Sequence, residues 1–168
     1  MTKLDLRRPT LEDKEAVLDL MREFEETTAA HDGGFWDAEH FDYEEWIAGN
    51  TDEEMGLNIP DSWVPAVQFV GFVDGKAVGF LNLRLRLSDF LLHHGGHIGY
   101  SVRPSQQGKS YATQMLRQGL SVAISKNISK VLVTCDETNA ANRAVILKNG
   151  GVLEDVRDDT ERYWINPE

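Results

Sequence analysis

Apolar residues recur at two spacings along this chain, and the change from one to the other divides it. Ala16, Val17, Leu20, Met21 and Phe24 fall at helical spacing behind Thr10-Leu11-Glu12-Asp13, a Thr start signal with an acidic residue three places on. That pattern predicts an amphipathic helix with an acidic outer face, preceded by a short alternating strand at Leu4-Asp5-Leu6. Residues 27–65 keep no steady period. His31-Asp32-Gly33-Gly34 reads as a turn, residues 42–48 as a helix, and Trp36, Trp46 and Trp63 lie in a partly helical segment suited to covering a pocket.

From residue 67 the spacing becomes two. Residues 67–73 and 77–87 flank Asp74-Gly75-Lys76, a hairpin signal. In the second arm Leu81, Leu83, Leu85 and Leu87 alternate with Asn82, Arg84 and Arg86, which predicts one buried and one wet face. A loop at 88–96, a strand at 97–102 and a turn at Pro104-Ser105-Gln106-Gln107-Gly108 come next. The following helix aligns Ala112, Met115, Leu116, Gly119, Leu120 and Ala123 on one stripe. A continuous apolar strand at 130–134, a helix at 139–149 ended by Gly150-Gly151, and strands near 152–154 and 162–165 complete the order. The expectation is one α/β (α+β) domain over residues 1–168, with a mixed central sheet flanked by helices.

The charge follows the same division. The net −11 splits into 5 Lys and Arg against 18 Asp and Glu through Ala66, and 12 against 10 beyond it. Such a front part repels nucleic acid and attracts a cationic amine, unless it serves only solubility; the near-neutral rear part admits an anionic ligand. Met1-Thr2-Lys3-Leu4-Asp5 is charged at once, no run is long enough to cross a bilayer, and Cys135 stands alone. These features lead us to expect no secretory signal, no membrane partner and a reducing cytoplasm.

The most informative stretch is the strand, turn and helix start at residues 99–112. A helix start carries unpaired N–H groups and a partial positive charge, a seat for phosphate oxygens. Gly108 gives backbone freedom, and Ser110 and Ala112 are small enough for close approach; the alternative is a plain structural connection. Neither a phosphate loop of Gly-x-x-x-x-Gly-Lys-Ser/Thr type nor a GxGxxG is present. His93, His94 and His97 surround paired glycines without a zinc-type helix, so a metal-free site is expected. Cys135, flanked by apolar residues, reads as packed, with an acyl-carrying role as the alternative.

Residues 96–151 resemble the GNAT superfamily of acetyl-CoA-dependent N-acetyltransferases. Gln107-Gly108-Lys109-Ser110-Tyr111-Ala112 stands for its Gln/Arg-x-x-Gly-x-Gly/Ala pyrophosphate pattern, after Val102-Arg103-Pro104, with Ser110 in place of the first glycine. Asn139-Ala140-Ala141-Asn142 and Lys148-Asn149-Gly150 follow where the superfamily carries its second pattern.

The resemblance implies acetyl-CoA as co-substrate and direct transfer to a primary amine on a small-molecule or peptide acceptor, and the acidic front part with its tryptophans leans that acceptor toward a small cationic one. The backbone at Ser101 and Val102, where neighbouring parallel strands splay, would bind pantetheine. The amides of residues 107–112 would hold the pyrophosphate, and Asn139 with Asn142 would reach the pantetheine or phosphate region. Asn139 also suits a helix N-cap. His97, where many relatives have Glu, is the candidate base, with Asp136 second. The tyrosine that protonates the leaving thiolate is replaced by Ile146. Amides or water would then stabilise the thiolate, or Tyr111 or Tyr100 would act as acid. The same resemblance implies a homodimer. A rival reading is an acyl-CoA-binding sensor or interaction module without turnover.

Overall fold

A computed structural model describes residues 3–167, so the reading made on Met1 and Thr2 lies outside the described residues. The first sheet has the order β1 (Asp5–Arg7), β2 (Ala66–Val73), β3 (Lys76–Arg84), β4 (Ile98–Val102), all antiparallel. The second has β5 (Val131–Asp136), then β7 (Thr160–Ile165), then β6 (Val152–Arg157), again antiparallel. Helices α1 (Lys14–Thr27) and α2 (Tyr43–Met55) precede β2, and the short α3 (Asp89–His93) lies between β3 and β4. Helix α4 (Tyr111–Ser125) joins β4 to β5, and α5 (Ala140–Lys148) follows β5. The expected α/β class holds; the central sheet is two antiparallel sheets rather than one mixed sheet.

The period-two strands fold as hydrophobicity dictates. All eight residues of β2 are buried because both faces of the first sheet are covered. On one face Leu81, Leu83 and Ile98 pack against Met115, Leu116 and Leu120 of α4. On the other, Val70, Phe72 and Phe80 meet Val17, Leu20, Met21 and Phe24 of α1 with Tyr43 of α2. Burying side chains of this size contributes about 1.5–3 kcal/mol each. The outer edge of β1 is satisfied by α4: Leu6 N–H donates to Gln118 Oε1 at 2.9 Å, and Gln118 Nε2 donates to the Leu4 carbonyl at 2.8 Å.

The Asn82 and Arg84 side of β3, expected to be wet, is instead roofed by the segment from α1 to β2 and becomes the floor of a cavity of about 930 Å³. Trp46 and Trp63 line that cavity, as expected of a covering segment, while Trp36 packs outside it on Phe24 and Phe80.

The two sheets meet at His97. Its N–H donates to the Leu132 carbonyl at 2.8 Å, and its Nδ1 accepts the Leu132 N–H at 3.0 Å. The imidazole thus takes the place of a strand carbonyl, and beyond it β4 and β5 share no ladder. Burial, with Arg84 nearby, holds the ring's pKa down to about 4. An unfolded histidine protonates near pH 6.5, so the unfolded chain binds the proton first and stability falls as pH drops from 6.5 toward 4. Chemical denaturation of the wild type should lose about 2 kcal/mol by pH 5. In His97→Gln, which keeps an acceptor but no titrating group, that slope should flatten; an unchanged slope would show that His97 is not its source.

Candidate functional site

The turn between β4 and α4 leaves a row of backbone donors. Gly108 and Ser110 both adopt left-handed conformations, with φ of 78° and 66°, and Ser110 makes no capping hydrogen bond to the helix. The N–H groups of residues 108–113 have no backbone partner among the described residues. Six amides around a helix start make an anion seat. Ser110 occupies a conformation that costs a non-glycine residue about 1–2 kcal/mol, which explains why glycine is usual there. Its hydroxyl is free to donate.

The turn is held from behind by a cluster that the sequence did not single out. Arg103, only 3% exposed, donates through Nε to Glu23 at 2.9 Å and through Nη1 to the Ala77 carbonyl at 2.9 Å, and pairs with Asp19 at 2.9 Å. Glu23 also accepts the Ser105 N–H at 2.7 Å and hydroxyl at 2.8 Å. Burial alone would raise the Glu23 carboxyl, but these donors bring it below its ordinary range. Helix α1 therefore clamps the turn to β3. The legible signal was Val102-Arg103-Pro104, an arginine between an apolar strand end and a proline. Gln107 ties the same turn internally, its Nε2 donating to the Val102 carbonyl at 3.1 Å, and Lys109 reaches Gln106 at 3.2 Å.

Where β4 and β5 part, Tyr100 of β4 donates its hydroxyl to Asn142 Oδ1 on α5, bridging the opening. Burial, with Cys135 and Asp32 nearby, raises the phenol above its usual range, so it stays protonated. Asn139 caps α5, its side chain accepting the Asn142 N–H at 3.0 Å. Ala112 packs beside the core and Ile146 is fully buried within it. Ser101 donates its hydroxyl to the Asp32 carbonyl at 2.7 Å. Gly33 lies so close above β4 that a Cβ there would come within 2.3 Å of the Gly99 carbonyl oxygen. The cavity wall at residues 32–34 and the opening beyond His97 are thus contiguous.

Three expectations change. His97 cannot serve as base through Nδ1, whose lone pair is engaged by Leu132 in a buried seam. Tyr111 is 8% exposed and packed in the core, not in the opening. Asp136 accepts the Thr138 hydroxyl at 2.6 Å and N–H at 2.8 Å, which lower its pKa and suit it to shaping the turn before α5. Cys135, buried and beside Glu161, has its thiol pushed up to about 12, the state of a packed residue rather than a nucleophile.

Two carboxylates the sequence did not distinguish from their sixteen neighbours line the cavity, Asp32 and Glu53. Burial raises the Glu53 carboxyl, against the lowering influence of Arg84. Phe35, Trp63 and Phe90 form an apolar rim, the first two in edge-to-face contact at 6.2 Å between centroids. Among the described residues no group of three His, Cys, Asp or Glu could hold a metal ion, and no helix is long and apolar enough to cross a membrane.

Residues 3–152 match the family described as acetyltransferase (GNAT) domain. No curated protein matches the sequence significantly. Among solved structures, RimL, a ribosomal L7/L12 alpha-N-protein acetyltransferase in complex with coenzyme A, is 20% identical; the match covers 100% of this chain and 97% of that one, with a TM-score of 0.69. RimJ of Mycobacterium smegmatis in complex with CoA-disulfide is 19% identical over 97% and 81%, TM-score 0.69. PaiA N-acetyltransferase of Thermoplasma acidophilum with coenzyme A is 18% identical over 98% and 99%, TM-score 0.60. At these identities the likeness establishes the fold.

The turn yields a direct test. Titration calorimetry with CoA should give Ser110→Gly an affinity within about threefold of wild type, and Ser110→Val, whose β-branch resists the left-handed conformation, a loss of about tenfold or more. Glu23→Ala should lose about 1.5–3 kcal/mol of stability and weaken CoA binding with it. Full CoA affinity in Ser110→Val would remove the turn from the binding site.

Proposed function

Because this chain belongs to the acetyltransferase (GNAT) domain family, we propose that it transfers an acetyl group from acetyl-CoA directly to a primary amine held in the cavity beside Asp32 and Glu53. The observation that carries the reading is the contiguity of two unlike sites. A turn of free amides opens on one side of β4, and a cavity with carboxylates on its wall adjoins the other, joined through Ser101 and Asp32.

Acetyl-CoA supplies a thioester carbonyl as electrophile. The amides of residues 108–113 and the Ser110 hydroxyl bind the pyrophosphate, the β4 backbone at Ser101 and Val102 accompanies pantetheine past His97, and Asn139 and Asn142 border the same path. In the cavity, Asp32 and Glu53 attract the protonated amine. Glu53, desolvated and so more basic than an ordinary carboxylate, accepts the ammonium proton and frees the nitrogen lone pair. The amine nitrogen then bonds to the carbonyl carbon as the C–S bond breaks, and the second proton that the nitrogen sheds on becoming an amide returns by way of water to the phenolate that Tyr100 leaves. Tyr100 supplies the proton to the departing sulfur, a phenol reaching α5 from β4 one helical turn before Ile146. His97 positions the opening and moves no proton.

The acid front part of the chain supports an amine acceptor over nucleic acid, on a small molecule or a peptide. The buried lone Cys135 suits a reducing cytoplasm. A second copy of the chain is the partner we assign to edge strand β6, which exposes Val152, Leu153 and Val156. Light scattering on a sizing column should give twice the 18.9 kDa chain mass, and Val156→Lys should return the single-chain mass.

Thiol release from acetyl-CoA across a panel of primary amines tests the activity. We expect acceptor-dependent release, with Tyr100→Phe lowering kcat about 10²-fold while CoA still binds. Tight CoA binding with no release for any amine would favour the sensor reading; a Tyr100→Phe kcat equal to wild type would remove the phenol from the chemistry.

A further inference from the structure

We propose that the acceptor carries a carboxylate as well as its amine, and that Arg84 is the group that reads it, so that the cavity selects a zwitterion of the amino-acid class with an apolar body. This rests on the transferase reading above. Arg84 ends β3 and lies in the cavity floor with Asn82 and Gln68. Its guanidinium is packed against Gly99 of β4, where a Cβ would come within 3.1 and 3.2 Å of its two terminal nitrogens. The absent side chain at residue 99 is what admits the arginine to this spot, between the cavity and the strand that leads to the opening.

The guanidinium is under-partnered for its depth. Nη1 donates to the Gly95 carbonyl at 3.2 Å, the one hydrogen bond its side chain makes among the described residues, and no carboxylate oxygen of those residues lies within 4.0 Å. The two most buried arginines are treated otherwise. Arg103 is held by Asp19, Glu23 and a carbonyl, and Arg162 by Glu154, Asp155 and the Leu92 carbonyl. Arg84 thus keeps most of its five N–H donors uncommitted. Burial works against its charge, while Asp32 and Glu53 favour that charge from a distance without closing a pair.

A fully ion-paired cluster would present no net recognition element. Here both signs line one cavity and neither is neutralised by contact. An ammonium finds Asp32 and Glu53, and a carboxylate can take two parallel bonds from Arg84. The exposed rings of Phe35, Trp63 and Phe90 at the rim offer apolar surface for the remainder of the molecule. A simple cationic amine would satisfy the carboxylates and leave the guanidinium unanswered, and the loss of a bond to a charged group is where such sites discriminate.

The test compares three acceptors on one framework with the full chain and saturating acetyl-CoA: L-phenylalanine, its amide, and 2-phenylethylamine, which lacks the carboxylate. The amino acid should show a kcat/KM about tenfold or more above both others. In Arg84→Gln that ratio should fall to within about twofold of unity, through a rise in KM for the amino acid. If Arg84→Gln does not fold, the wild-type ratio decides alone. A wild-type ratio of one or below, with amines still acetylated, overturns this inference and leaves the transferase reading standing. A uniform drop in kcat for all three acceptors in Arg84→Gln overturns it too, by assigning the guanidinium to the thioester. Absence of thiol release with every amine overturns both.

Discussion

The arrangement depends on how two sheets are joined at a single residue. His97 donates its backbone N–H to Leu132 and accepts the Leu132 N–H on its ring, so that β4 and β5 are fastened at one end without forming a ladder. A continued ladder would consume the strand edges that the proposed cofactor arm needs. A weaker junction would leave a buried N–H unsatisfied, at a cost of about 1–3 kcal/mol. The imidazole meets both demands only while neutral, which is why its burial fits a structural role and not proton transfer.

The opening set by that junction is useful because its two flanks are rigid for different reasons. On the turn side, α1 reaches across through Glu23 to Arg103 and Ser105, fixing a loop whose own backbone is strained at Ser110. On the cavity side, the loop at residues 31–34 is pressed onto β4 by Ser101 and onto β2 by Gln68, whose Nε2 donates to the Gly33 carbonyl at 2.7 Å. Donors for an anion and carboxylates for an amine therefore stand on either side of one strand. Folding energy from the two apolar faces of the first sheet holds them there.

Much of this was legible in the chain. Alternating leucines marked β3, the Thr10 signal marked the 3-10 turn that leads into α1, and the glycine-containing turn after Val102 marked the row of unpaired amides before α4. What was not legible depended on contacts between distant residues. The polar face of β3 reads as solvent-facing because Asn82 and Arg84 are polar, and only the roof formed by α2 and its flanking loops turns that face into a cavity floor. His97 reads as a base because of its residue type and its place at the head of the strand leading into the turn, and only the position of Leu132 reveals its lone pair as taken. The β6–β7 hairpin reads as two fragments because its turn is Asp158-Asp159, both left-handed at φ 48° and 66°, without the glycine that usually signals such a turn. Asp32 and Glu53 were hidden among eighteen acidic residues, most of the rest of which face outward or pair with arginine or lysine.

Amide hydrogen exchange with and without CoA reads the opening between β4 and β5 residue by residue, and so decides whether the cofactor lies there. Protection should concentrate at residues 99–102 and 108–113, with the cavity floor at residues 82–84 unchanged. Protection centred on the cavity floor, or none in the turn, would contradict that placement.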